Sequence, residues 1–132
     1  MLLLLLLLTI STTSGRKISG GLWKSTNGQQ IYFDIMKGLV LDGYYGEETD
    51  NKTTITYPLV GLISSPTTPA AGSMISFCVV WQNGLKDSNC VSSWDGVINT
   101  TTVVTSWSKS CFENNGPWNP GDTGNTVFYK KQ

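Results

Sequence analysis

After residue 16 no helical hydrophobic period persists for more than a turn. Runs rich in Val, Ile, Thr, Tyr, Phe and Trp are instead cut by clusters of Gly, Asn, Asp and Pro. That punctuation is the strongest constraint on the fold. It predicts eight strands, over 22–25, 30–36, 39–47, 53–63, 74–82, 89–98, 102–110 and 122–129. The breaks between them are TNG, KG, EETDN, SSPTTPAAG, NGLKD, NT and FENNGPWNPG. Most are short, which describes an all-β antiparallel meander. A meander of that length must close into a barrel or split into a sandwich to hide its edges.

Alternation along the strands sorts their faces. Phe77, Val79 and Trp81 share one side of their strand, and Cys78 and Val80 the other. On the next two strands Cys90, Ser92 and Trp94 share a side, as do Trp107, Lys109 and Cys111. A turn centred between Asn99 and Thr101 would set Trp94 opposite Trp107 and Cys90 opposite Cys111. Cross-strand opposition brings Cβ atoms to about 4.5–5.5 Å, so Cys90 and Cys111 are the expected disulfide and Cys78 is left over. Small polar residues between aromatics are unusual on the inward face of a dry core. Buried hydroxyls need partners, and a ligand could supply them.

Length and charge narrow the classes further. A chain of 132 residues supports one core. The seven leucines from Leu2 to Leu8 are too few to span a membrane and read as the apolar part of a signal peptide over 1–15. The domain is then expected over 16–132, in a secreted protein. Nine basic and nine acidic residues cancel, which argues against nucleic acid or an anionic membrane as partner. Charged residues make up 14% of the chain, against about 25% in typical domains, which favours burial in a homo-oligomer. With no histidine, the commonest general base and metal ligand are missing, and the Ser92–Ser93–Trp94 run has no activating partner. The carboxylates lie mostly in turns, so nothing supports an enzyme. Asn51 and Asn99 stand in glycosylation triplets, consistent with secretion.

The order of short motifs is more specific than any one of them. GLWKSTNG (21–28), GYY (43–45), YPLVG (57–61), FCVVW (77–81), SSWDG (92–96), TSW (105–107), Trp118 and GNTVFYKK (124–131) follow one another at near-constant spacing. In this order the chain resembles the avidin and streptavidin family of secreted biotin-binding proteins. The resemblance implies an eight-stranded antiparallel up-and-down β-barrel with the ligand in its mouth. It implies that Tyr45 donates to the ureido oxygen of biotin and that Trp81, Trp94 and Trp107 form the aromatic walls. Ser92 would face the thioether sulphur. Trp118 would reach across an interface to cover a neighbour's pocket, in a homotetramer. No cofactor is implied beyond the ligand itself.

The polar positions depart from the family. Its first-strand asparagine falls on Ser25 and the following serine on Gln29. The threonine after the tyrosine becomes Glu47, the serine at the pocket mouth becomes Cys90, and the last-strand asparagine or aspartate becomes Thr126. The apolar walls are kept while most of the polar clamp is rewritten. Weakened contacts at about 1–3 kcal/mol each predict biotin binding at reduced affinity. The alternative is a storage or structural relative, or a lectin-like binder, that has lost biotin.

Overall fold

The computed structural model describes residues 18–48, 53–65, 72–112, 118–119 (as backbone) and 121–132. Nine strands form one antiparallel sheet: β1 (Gly21–Ser25), β2 (Gln29–Met36), β3 (Val40–Glu48), β4 (Thr54–Ile63), β5 (Ser73–Val80), β6 (Cys90–Ile98), β7 (Thr102–Phe112), β8 (Trp118–Asn119) and β9 (Thr123–Lys130). Sequential neighbours pair from β1 through β7, β7 pairs with β9, and β9 returns to β1. Eight strands therefore close into the expected up-and-down barrel, in which each strand of the ring is paired on both sides. The two-residue β8 lies outside that ring, against the end of β7 through Cys111↔Asn119 and Phe112↔Trp118.

The strand limits differ from the sequence reading by one or two residues at most ends, and three of the shifts have a visible cause. Gly38 and Leu39 both take positive φ (83° and 63°), and the Leu39 N–H donates to the Met36 carbonyl at 3.1 Å. The left-handed backbone belongs to a turn, so β3 begins at Val40. Trp81 lies beyond the end of β5, although its N–H still donates to the Cys90 carbonyl at 3.1 Å. At the other end, β7 runs on to Phe112 because its last residues pair with β8.

Period two is clean on β5: Ser73, Ile75, Phe77 and Val79 are buried, while Met74, Ser76, Cys78 and Val80 are exposed. The inward residues divide the barrel along its axis. At one end Leu41, Ile63, Ile75, Ile98, Val103 and Phe128 fill the interior. Burying such side chains contributes about 1.5–3 kcal/mol each. Trp23 belongs to the same core, fully buried and stacked on Phe33 at 6.3 Å, and the opposite end of the barrel is its mouth. The mouth, where β3, β5 and β7 end and β2, β4, β6 and β9 begin, is lined differently.

Candidate ligand-binding site

Four aromatic side chains build the walls of the mouth. Trp94 is 4% exposed, stacked on Phe77 at 5.2 Å and tilted against Tyr45 at 5.1 Å. Trp81 meets Tyr45 edge-on at 5.2 Å and Tyr57 at 4.9 Å. Trp107 is the direct β7 partner of Trp94, and both line the same cavity as Trp81 and Tyr45. Gly124 is the β9 partner of Trp107; a Cβ there would lie 2.5 Å from the indole, so only glycine leaves the ring its place. The three indoles expected to face inward near one mouth do so.

The cavity they enclose measures about 190 Å³. Its polar rim comes from Gln29, Glu47 and Ser92, joined by Lys109 and Asp122, which no site expectation included. Lys109 shares the inward side of β7 with Trp107, a placement that alternation alone makes readable. Its ammonium sits 4.9 Å from the centroid of the Trp81 ring, a cation–π contact. Asp122 immediately precedes β9, and its carbonyl accepts from the Lys109 N–H at 2.7 Å.

Hydrogen bonds fix several of these groups. The Trp81 indole N–H donates to Ser92 Oγ at 2.9 Å. Tyr45 Oη, almost wholly buried, donates to Glu47 Oε1 at 3.0 Å. Burial, reinforced by the Glu47 charge and that hydrogen bond, pushes the Tyr45 phenol far above its ordinary value, so it remains a neutral donor. Burial acts first on Tyr57 too, with Glu47 and Asp87 adding to the upward shift. Gln29 Oε1 is enclosed and meets no donor.

Other anticipated site residues stand apart from the cavity lining. Ser25 Oγ accepts from the backbone N–H groups of Asn27 and Gln29 at 3.3 and 3.2 Å, and so holds the 25–29 turn. The Thr126 carbonyl accepts from Thr105 Oγ1 at 2.8 Å inside the barrel wall. Cys90 is disulfide-bonded to Cys111, its direct β7 partner, while Cys78 is free and exposed on the outer face of β5. Asn99 Oδ1 accepts from the N–H groups of Thr101 and Thr102 and shapes the β6–β7 turn. The Trp118 side chain, Asn51 and the 1–15 segment lie outside the described residues.

No family model and no curated protein matches the chain. Solved structures do. The rhizavidin–biotin complex matches with a TM-score of 0.65 and 22% identity over 86% of this chain and 93% of that one. A shwanavidin variant in complex with biotin matches at 0.67 and 22% identity, over 89% of this chain and 100% of the other. Apo shwanavidin matches at 0.68 and 22%, over 90% and 100%. The chain has the avidin-like fold. In this barrel the tryptophan-walled cavity lies at the mouth, and the apolar core side chains fill the other end.

Proposed function

We propose that this chain is a secreted, avidin-like protein that binds biotin non-covalently in the barrel mouth and performs no catalysis. The observation carrying this reading is the convergence of Trp81, Trp94, Trp107 and Tyr45 on one cavity. Rigid aromatic walls remove apolar ligand surface from water at about 25 cal/mol per Å² and lose little rotamer freedom on binding. The biotin complexes of rhizavidin and of the shwanavidin variant, which share the fold, support the choice of ligand.

The polar contacts favour a reduced affinity. The Tyr45 proton is already given to Glu47, and Ser25 stands outside the cavity lining. A ureido oxygen must displace Glu47 from Tyr45 or go without its donor, at about 1–3 kcal/mol per lost contact. Assembly into a homotetramer, with Trp118 covering a neighbour's pocket, is part of the same proposal. Its support is the outer face, where Val60, Leu62, Met74, Val97 and Val104 are exposed on β4 to β7.

Capture of the expressed protein on biotin-agarose, with release by free biotin, tests the reading. No capture, together with no heat on calorimetric titration with millimolar biotin, would overturn it. Light scattering tests the assembly: a monomer at micromolar concentration would refute the tetramer.

A further inference from the structure

Gln29 and Glu47 are direct partners across the β2–β3 ladder, and both line the cavity. Each places an acceptor at the rim, although Gln29 carries an amide NH2 donor beside its own. Glu47 brings a carboxylate, and Gln29 brings an enclosed amide oxygen with no donor. The neighbouring donor, the Tyr45 hydroxyl, is already spent on Glu47. An enclosed acceptor without a partner is costly, and a ligand N–H would satisfy it.

Charge points the same way. Among the described residues the lining holds two carboxylates, Glu47 and Asp122, and one ammonium, Lys109, an excess of one negative charge. The Lys109 ammonium rests on the Trp81 face, where the indole already engages it. A neutral cyclic urea brings a carbonyl acceptor into a rim that already holds the Glu47, Asp122 and Gln29 acceptors. A cyclic guanidinium of the same shape replaces that oxygen with N–H donors and remains charged at neutral pH. It can also offer two parallel N–H groups to one carboxylate.

We propose that this site prefers a ligand with a cyclic guanidinium head over the neutral urea of the same shape, with Glu47 and Gln29 making the choice. The inference rests on the reading that the mouth holds a biotin-like ligand. Glu47 keeps contact with water, which screens its charge, so the preference amounts to about tenfold in Kd at neutral pH.

The test is calorimetric titration of the full chain with biotin and with its cyclic guanidine analogue, in which nitrogen replaces the urea oxygen. Glu47→Gln is titrated alongside, with its thermal unfolding compared with that of the parent chain. Tighter binding of the guanidinium analogue, lost in Glu47→Gln at unchanged thermal stability, supports the inference. Biotin binding as tightly as the analogue or tighter overturns it while leaving the proposed function standing. A preference that survives in Glu47→Gln also overturns it, because the choice is then made elsewhere. Binding of neither compound overturns both readings.

Discussion

The Trp81 indole N–H donates to the Ser92 hydroxyl at 2.9 Å, tying the residue after β5 to the inward face of β6. Ser92 is 3% exposed, so this hydroxyl has little access to water as a substitute partner. Its first role is to hold a wall of the cavity. Ser92→Ala should cost about 1 kcal/mol of stability through the lost hydrogen bond. It should weaken biotin by about tenfold because the Trp81 ring is no longer fixed. Thermal unfolding and calorimetric titration of the variant check the two effects separately. Unchanged affinity would mean that Trp81 keeps its place without Ser92.

The tryptophans of the β6–β7 pair should respond differently to truncation. Trp94 is buried between Phe77 and Tyr45, so Trp94→Ala should cost about 3–5 kcal/mol of folding stability. Trp107 is only half-buried and faces the cavity. Trp107→Ala should spare most of the stability and cost about 2 kcal/mol or more in ligand binding. Urea denaturation paired with calorimetry separates the two. Equal stability losses would show that Trp107 is core and not wall.

The β6–β7 register was readable because a local signal sets it. Asn99 Oδ1 gathers the N–H groups of Thr101 and Thr102, and from that turn both Trp94↔Trp107 and Cys90↔Cys111 follow by counting. The walls were readable because alternation and the order of motifs agree at each tryptophan. The polar rim was not. Lys109 was visibly inward, but its seat on Trp81 depends on a side chain from another strand. Tyr45 and Glu47 share a face by alternation, yet only the folded chain shows the phenol donating to the carboxylate. Ser25 could be placed on β1, but its use as a turn acceptor arises from the chain folding back at 25–29. The β8 pairing had no periodic signal at all, since two residues define no period.

Reduction of the Cys90–Cys111 bridge should lower stability by about 2–4 kcal/mol, because it closes a 21-residue separation that the unfolded chain otherwise explores freely. Since the bridge joins β6 and β7 near the mouth, biotin affinity should fall with it. Thermal unfolding with and without reductant measures the first effect. Thiol alkylation of the folded, unreduced protein should label Cys78 alone, which is exposed and free. Peptide mapping that finds Cys78 linked to either other cysteine would contradict the pairing.

High pH should destabilise the barrel through its buried phenol. Burial, then the Glu47 charge and hydrogen bond, raises Tyr45 far above its ordinary value of 10.0. Below pH 10 the phenol is protonated in both folded and unfolded chains, so the stabilisation linked to this shift is fully present. Above pH 10 the unfolded chain releases the proton while the folded one keeps it, so stability falls as pH rises. Tyr57, raised chiefly by burial, adds to the same trend. Chemical denaturation midpoints should therefore decline from pH 10 upward, and phenolate absorbance should show a fraction of the five tyrosines that ionise only as the barrel unfolds. In Glu47→Gln the carboxylate no longer opposes phenolate formation, so the decline should be shallower but still present, because burial remains the larger cause. Midpoints flat between pH 9 and pH 11 would show that Tyr45 is not held in the dry environment the cavity requires.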